Sequence, residues 1–345
     1  MGKARIRDRL VHVAAHPLVF TALGIGRHTG LPGRRIVASA EGVREVLTKV
    51  PLDRTDRHTT GGLVRGQGSA GESWFDGEGS AHRQSRRELG AALTGVGIRR
   101  LARHWQPVLD QYAQAMVTEA VDVVTMSRIM SGLVTLDLLG MTADRERALA
   151  LTAATRVVAA ISVRAHLAGD TSRNLTAPLV REFPGLGPSE VMLAVAATTT
   201  MLSAIPRALA WCADDDLFPD AQRDPEVMAA ELMRVIAPTP LLPRIVGDDS
   251  RVEERPVRRG DQLLLYLLPA IARPEPSVQH PQPPAQAQLA FGAGSHACPG
   301  RGLALAMVAD ALRTFAPIRP RVTRAVPDVG AGLPQWRALW SVSYT

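Results

Sequence analysis

The segment FGAGSHACPG, residues Phe291–Gly300, combines one cysteine with three glycines and a histidine. Glycine has no Cβ, so these glycines let the backbone lie close to a flat ligand. Apolar residues at helical spacing follow, Leu303 and Met307 among them, and predict a helix from about Arg301 to Phe315. Cys298 then precedes a helix N-terminus, where unpaired N–H groups favour the thiolate, the form that binds metals. Cys298 is therefore a candidate metal ligand.

A lone cysteine has a simpler interpretation, in which Cys298 is a small buried hydrophobic residue and the glycines only form a turn. The complete string favours the ligand, because it resembles the haem-binding signature of the cytochrome P-450 superfamily. The cysteine of that signature is the proximal thiolate ligand of haem iron. The resemblance implies haem b as the cofactor, iron ligation by Cys298, and haem contacts from Phe291, Gly292, His296 and Gly300.

Glu231 and Arg234 stand three residues apart and can form an ion pair on one face of a helix. Such pairs are common on surface helices, so the spacing alone is weak evidence for a role. The position of this pair upstream of Cys298 strengthens the interpretation. It resembles the E-x-x-R of the family's K helix. The resemblance therefore implies a structural role for Glu231 and Arg234.

The sequence AHRQSR places His82 and Arg86 one helical turn apart. It resembles the family's H-x-x-x-R motif, whose His and Arg bind the haem propionates, although the fragment alone is also typical of a solvated basic helix start. Arg244 and His296 resemble the remaining propionate partners. The two propionate carboxylates of haem need cationic partners, because an unpaired charge inside a protein costs several kcal/mol.

The family's I helix carries a motif of the form A-G-x-D/E-T, whose acid and threonine deliver protons to bound oxygen. The corresponding sequence is AVAATT, residues Ala194–Thr199. The resemblance implies Thr198 as the catalytic hydroxyl, with Thr199 as the alternative if the alignment shifts by one residue. Ala197 stands where the acid is expected, so protons must come through water, a threonine or the substrate. A purely structural role, with the threonines packed among apolar neighbours, is the competing interpretation.

The resemblance implies a monooxygenase that inserts an oxygen atom from O2 into a small, moderately hydrophobic substrate. A tailoring step in bacterial secondary metabolism is the expected setting. Thiolate ligation favours cleavage of the O–O bond. Electrons are expected from NAD(P)H through a reductase and an acidic ferredoxin, since the sequence shows no flavin or dinucleotide motif. Two alternatives stay open: a peroxide-using or non-hydroxylating haem-thiolate enzyme, and a haem-binding protein without catalysis.

The elements that position these residues are predicted to be mostly helices. Apolar residues recur at helical spacing in Glu41–Lys49, Ala81–Leu93, Ile98–Ala120, Thr125–Leu139, Asp144–Ala165 and Ser189–Ala213. Strand patterns occur at Arg35–Ala38, Leu242–Val246 and Gln262–Leu267, and a Gly/Ser/Thr-rich loop covers 59–79. We predict a mainly α protein with small β-sheets, an α+β arrangement that the resemblance identifies with the cytochrome P-450 fold. One domain over residues 1–345 is expected, because no linker or internal repeat divides the chain.

Composition narrows the class of protein. The chain has 345 residues, 46% of them hydrophobic, and a net charge of +7. These values are typical of an ordinary globular protein. Two cysteines in unlike contexts argue against a secreted disulfide framework. Dispersed arginines with 4% aromatic residues argue against nucleic-acid binding, and the apolar stretch Pro17–Gly24 is too short to span a membrane. We expect a cytoplasmic monomer that uses a basic face to receive the acidic ferredoxin.

Overall fold

The computed structural model describes residues 2–17, 19–21, 23, 34–56, 58–59, 79–168 and 175–343. At residues 34, 79–82, 85 and 166–168 the description is limited to the backbone. Most of the loop predicted between 59 and 79 therefore lies outside the described residues.

The helices bury most of the apolar side chains. Their bounds are α1 Lys3–Ala15, α2 Ala40–Thr48, α3 Gly79–Ala92, α4 Gly95–Met116, α5 Val123–Leu138, α6 Arg145–Ala168, α7 Ala177–Glu182, α8 Pro188–Asp214, α9 Phe218–Arg223, α10 Pro225–Ile236, α11 Leu267–Ile271, α12 Pro284–Ala287 and α13 Arg301–Phe315. Short 3₁₀ turns at Gln288–Phe291 and Gly294–His296 precede α13.

The strands form three small sheets. Their bounds are β1 Arg34–Val37, β2 Leu52–Asp53, β3 Val121–Asp122, β4 Leu241–Val246, β5 Ser250–Val252, β6 Arg255–Val257, β7 Gln262–Tyr266, β8 Arg321–Pro327 and β9 Trp336–Val342. The largest sheet has the order β1-β7-β4-β2, with β1 parallel to β7 and the other pairs antiparallel. β3, β9 and β8 form the second sheet, and β5 and β6 form a hairpin.

The long helix α8 is central to the helical body and packs against α1, α5, α6, α10 and α13. Pro188 stands in its first turn, where the missing N–H of proline is harmless. Within the described residues, α6 and α8 are both long and apolar enough to cross a membrane by composition alone. Protein atoms bury 72% of the most apolar window of α8 against 39% for α6, so the apolar length of α8 is explained by the core.

The predicted mainly α architecture with small sheets is confirmed. The predicted long helices are found with ends shifted by a few residues, and α13 matches its predicted bounds. The strands β8 and β9 were not predicted. The residues of β8 are exposed or half-buried without regular alternation, which gives only a weak strand signal. β8 and β9 pair with each other, and β9 also pairs with β3.

Candidate functional site

The cysteine loop has a backbone that requires glycine at two positions. Gly292 and Gly294 have φ values of +78° and +71°, a region that L side chains rarely adopt. A Cβ on Gly294 would also lie 2.7 Å from the carbonyl oxygen of Leu47. The loop closes where the Cys298 N–H donates to the Phe291 carbonyl at 2.7 Å. These glycines therefore shape the loop and dock it on α2.

Cys298 lies at the end of this loop, just before α13. Its side chain keeps accessible surface, yet the surrounding protein raises the pKa of its thiol by desolvation, while the Gly300 N–H and the charge of Arg86 oppose that rise. Desolvation therefore outweighs the hydrogen bond and the charge that favour the thiolate, an effect that the sequence argument did not include. Binding of a metal cation would have to stabilise the deprotonated sulfur.

Arg86 connects α3 to the cysteine loop. Its Nη2 donates a hydrogen bond to the carbonyl of Ala297, the residue before Cys298. The side chain is half-buried, and desolvation lowers its pKa while Cys298 partly opposes that change. His82 lies one turn earlier on α3, but its side chain is outside the described part of the structure. Its predicted propionate contact stays a prediction.

Arg244 on β4 is a cation without a full set of partners. Its Nη1 donates to the Pro243 carbonyl at 2.8 Å, and no described residue provides a hydrogen-bond partner for its buried Nε. Burial lowers the pKa of Arg244 to about 10, and repulsion from Arg54 adds to this effect. The nearby carboxylate of Asp53 is engaged through its Oδ1 by the N–H groups of Thr55 and Asp56. Arg244 is thus suited to receive an anionic group.

Glu231 and Arg234 form a buried ion pair on α10, with an Nη2–Oε2 distance of 2.5 Å. Arg234 also donates to the carbonyls of Ile271 at 2.7 Å and Pro274 at 3.0 Å, and Glu231 accepts from the Gln282 N–H at 3.0 Å. The pair therefore ties α10 to the chain that leads into the cysteine loop. Its position agrees with the predicted structural role.

A cavity of about 640 Å³ opens beside these groups. Arg86, Arg244 and His296 contribute to its wall, on the side of the cysteine loop. Its other side is formed by one face of α8, with Val191, Met192, Val195, Ala196, Thr199 and Thr200 spaced as neighbours on a helix surface. Three of the predicted propionate-binding residues and the predicted distal helix thus line one chamber, whereas Cys298 is not part of its wall.

The two candidate threonines of α8 have different surroundings in the structure. Thr198 is fully buried, with its Oγ1 at 2.7 Å from the Ala194 carbonyl and 2.8 Å from Thr155 Oγ1 on α6. Thr199 lines the cavity, and its hydroxyl donates to the Val195 carbonyl at 2.6 Å. The direct catalytic role first predicted for Thr198 therefore does not fit its position, whereas Thr199 does.

The remaining signature residues hold the loop. Phe291 is partly buried, and the Arg301 guanidinium lies 6.0 Å from its ring centroid. The buried Nε of Arg301 has no hydrogen-bond partner in the part of the chain that the structure describes. Gly300 supplies its backbone N–H to the Cys298 sulfur, the atom predicted to bind the metal.

The arrangement fits haem better than a bare metal ion. Within the described ranges, no group of three or more His, Cys, Asp or Glu side chains could hold an ion. Cys298 lies close to Arg86, and Arg86 and Arg244 line a large chamber; among the described residues the Arg244 Nε has no partner. A metal in an anionic macrocycle would suit this donor set, with a thiolate for the metal and positive side chains for the carboxylates.

Sequence reasoning did not find the N-terminal contribution to the chamber. His16, Val19, Phe20 and Leu23 line it, although they are more than 200 positions from Arg244 in the chain. The only signal was an amphipathic pattern at the N-terminus, which indicates a packed helix but not its partner.

Comparison with known proteins identifies the fold. No protein-family model and no curated protein matches the sequence. Solved cytochrome P450 structures match almost the whole chain. CYP175A1 from Thermus thermophillus aligns at a TM-score of 0.73 and 18% identity, covering 98% of this chain and 97% of that one.

Two more solved cytochrome P450 structures align with this chain to a similar extent. CYP164A2 of Mycobacterium smegmatis, in its ligand-free state, has a TM-score of 0.71 and 19% identity, with 98% and 99% of the two chains covered. A mutant of P450 EryK in complex with erythromycin B has a TM-score of 0.72 and 20% identity, with 96% and 98% covered. The chain therefore has the cytochrome P450 fold.

Proposed function

We propose that this protein is a haem-thiolate monooxygenase that oxidises a small, moderately hydrophobic organic molecule. The observation that carries the proposal is that Arg86 and Arg244 line one chamber, while Arg86 also donates a hydrogen bond to the residue before Cys298. Among the residues that the structure describes, the buried Nε of Arg244 has no hydrogen-bond partner. The P450 fold of the chain supports it.

Cys298 would ligate the iron of haem b, with the Gly300 N–H tuning the sulfur through a hydrogen bond. Arg86, Arg244 and His296 would bind the propionates, together with His82 from α3. When bound, haem supplies the activation of O2, and the thiolate favours cleavage of the O–O bond. The protein supplies position, electrostatics and exclusion of water.

Thr199 is the residue we assign to proton delivery. It lies on the chamber wall, where its hydroxyl would hold a proton and exchange it with water in the cavity. Ala197 offers no carboxylate, so water or the substrate must be the proton source.

We infer the substrate class from the side chains that line the cavity. The parts of the wall that α6 and α8 contribute are mostly aliphatic and alanine side chains with a few hydroxyl groups, while charged residues such as Arg54, Arg86 and Arg244 line other parts. The α6 and α8 faces suit a largely apolar molecule with polar substituents. P450 EryK holds erythromycin B, and we extend the same class of role, a tailoring oxidation of a secondary metabolite, to this chain. We propose a cytoplasmic setting with an acidic ferredoxin and its NAD(P)H-dependent reductase as donors. Arg83 and Arg87, exposed on α3, are available to a carboxylate-rich partner.

A second candidate is an enzyme that uses hydrogen peroxide directly. The hydroxyl of Thr198 is engaged by Ala194 and Thr155, and Ala197 has no acid. An oxidant that already carries its protons needs less assistance from the distal helix.

The test is a carbon-monoxide difference spectrum of the reduced, haem-loaded protein beside Cys298→Ser. We expect a strongly red-shifted Soret band in the wild type and its loss in the variant. An unshifted wild-type band, or no haem binding, would contradict the proposal. Turnover with ferredoxin and NADPH, against turnover with peroxide alone, then separates the two candidates.

A further inference from the structure

The outward face of the N-terminal helix α1 carries the largest aliphatic side chains of that helix. Ile6, Leu10 and Val13 stand four and three residues apart, so they are neighbours on one side of α1. Their exposed fractions are 48%, 57% and 39%. A surface helix of a globular protein normally turns its apolar stripe toward the core. In α1 this stripe, Ile6–Leu10–Val13, faces the solvent.

The inward face of α1 is small and partly polar. Its buried residues are Ala4, Asp8, Val11, His12 and Ala15. Asp8 is bound to the central helix α8, because Arg207 donates from Nε to Asp8 Oδ1 at 2.6 Å and from Nη2 to Asp8 Oδ2 at 2.9 Å. A buried ion pair thus attaches α1 to the body, and the aliphatic stripe takes no part in that attachment.

Two further ion pairs fix the orientation of α1. Arg5 Nε donates to Glu275 Oε1 at 2.8 Å, and Arg7 Nη2 donates to Asp214 Oδ1 at 2.9 Å. Both arginines are partly buried. The helix therefore presents the aliphatic stripe as a fixed part of the protein surface.

The charges on the outward face are positive. Lys3 and Arg9 are the exposed charged side chains of α1, and at 3.6 residues per turn they fall on opposite sides of the aliphatic stripe. Lys3 Nζ lies 3.5 Å from Asp214 Oδ1, yet its side chain is 71% exposed. Asp8 is the one acid in the sequence of α1, and it is buried. The stripe therefore has cationic margins.

The grouping of the exposed aliphatic residues distinguishes α1 from the rest of the described surface. Val96, Val117, Val157 and Val329 are also exposed, but they are dispersed over α4, α6 and loops. Single exposed apolar residues are ordinary, whereas a contiguous set marks an interaction site.

The cations on the margins indicate which partner this face suits. A symmetric contact with a second copy would bring the same face of both chains together, so Lys3 and Arg9 would meet a second set of cations. An anionic bilayer accommodates both features, because acyl chains receive the aliphatic residues and lipid phosphates attract the cations. The neighbouring strand β8, which packs on α1, exposes Arg324 and contains no acid.

We propose that the outward face of α1 docks this protein on the surface of an anionic lipid bilayer. Ile6, Leu10 and Val13 enter the boundary between headgroups and acyl chains, while Lys3 and Arg9 lie at the level of the phosphates. α1 then lies in the plane of the bilayer surface and does not span it. This inference goes beyond the proposed function, and it requires neither haem nor a substrate.

The experiment measures co-sedimentation of the full-length, haem-loaded protein with large unilamellar vesicles. Anionic vesicles contain equal parts of phosphatidylglycerol and phosphatidylethanolamine, and neutral vesicles contain phosphatidylcholine. The wild type is compared with the double variant Ile6→Gln with Leu10→Gln, and with Arg9→Glu. Glutamine is a good helix former, so the double variant removes apolar area and keeps the helix.

Matched control variants change equally exposed residues at a distance in the chain. Val96→Gln with Val117→Gln removes two exposed aliphatic side chains at the two ends of α4, and Arg99→Glu reverses an exposed charge on the same helix. Urea denaturation of every variant checks that it folds.

We expect the wild type to bind anionic vesicles at least about tenfold more tightly than neutral vesicles at low salt, because cations near such a surface are attracted to it. High salt should reduce this difference by screening. The Ile6 and Leu10 double variant should bind anionic vesicles at least about tenfold more weakly, since less apolar area leaves water. Arg9→Glu should weaken that binding by about fivefold or more without any effect on neutral vesicles. Both control variants should match the wild type.

The proposal is overturned by a wild type that binds neither kind of vesicle, or by a double variant that binds as the wild type does. Control variants that weaken binding as much as the α1 variants would also contradict it. Light scattering during size-exclusion chromatography tests the competing occupant. A wild-type dimer that the Ile6 and Leu10 double variant converts to a monomer would assign this face to a second copy. The carbon-monoxide band is recorded for the same samples, and an intact band without vesicle binding would refute the docking face alone.

Discussion

Thr198 and Thr155 lie with their hydroxyl oxygens 2.8 Å apart, joining α8 to α6 on the side away from the cavity. This contact decides which of two adjacent threonines can act on a bound ligand. The Thr198 hydroxyl contacts a neighbouring helix, whereas Thr199 lines the chamber.

The first prediction concerns these neighbours. Thr199→Ala should lower the yield of product per NADPH oxidised by at least about tenfold, because acid–base assistance from one side chain is of that order or larger. Thr198→Val should leave this yield unchanged and lower the free energy of unfolding by about 1 kcal/mol, the cost of a lost buried hydrogen bond. Turnover is assayed with a surrogate ferredoxin and reductase, and stability by urea denaturation. The reverse pattern would return the catalytic role to Thr198.

A second prediction uses the uncompensated charge of Arg244. Arg244→Leu should raise the free energy of unfolding of the haem-free chain by about 1 kcal/mol or more, since apolar replacement of a poorly paired buried charge is often stabilising. The same variant should release haem faster by about tenfold, because a charge-assisted hydrogen bond is lost.

Arg35→Leu is the control for Arg244→Leu. Arg35 lies on β1 of the same sheet and donates to the Val252 carbonyl at 2.6 Å. Its replacement should lower the stability without any change in haem release. Equal effects of both substitutions on haem release would show that Arg244 has no specific contact with the cofactor.

The third prediction addresses the buried pair of α10. Glu231→Leu leaves the Arg234 guanidinium without its carboxylate and should cost about 3–5 kcal/mol of unfolding free energy. The double variant Glu231→Leu with Arg234→Met should be less destabilised than the sum of the two single variants, because no charge is stranded. A double-mutant cycle by urea denaturation measures the coupling. Additive effects would mean that the pair contributes only through its separate backbone contacts.

A fourth prediction concerns pH and His12. Burial, followed by repulsion from Arg207, lowers the pKa of His12 from its ordinary value of 6.5, although Asp8 opposes this. The unfolded chain therefore binds a proton that the folded chain resists, so stability is lost as the pH falls below about 6.5. The free energy of unfolding should decrease between pH 7 and pH 5, and His12→Gln should make that slope shallower.

His280→Gln at an exposed site gives the background effect of removing a histidine. Urea denaturation at several pH values provides the slopes. An unchanged slope in His12→Gln, or a stability that rises on acidification, would contradict the assignment.

The sequence was sufficient for features that depend on local spacing. The helical repeats predicted the long helices, and the glycines around Cys298 predicted a loop whose backbone can approach its neighbours closely. The structure adds that Gly292 and Gly294 have positive φ values. The i, i+3 spacing of Glu231 and Arg234 also predicted their pairing. These features follow from helix geometry and local sterics, which short segments already contain.

Tertiary packing decided what lies between segments that are distant in sequence. The packing of α8 on α6 places the Thr198 hydroxyl against Thr155, whereas Thr199, the next residue of the same helix, lines the chamber. The Arg207–Asp8 hydrogen bond joins α8 to α1, and the residues after α1 line the cavity. Burial raises the pKa of Cys298 although the Gly300 N–H and Arg86 oppose this. The spacing of apolar residues identifies the apolar face of a helix. The element that packs on this face, and the amount of water excluded from it, depend on the assembled core.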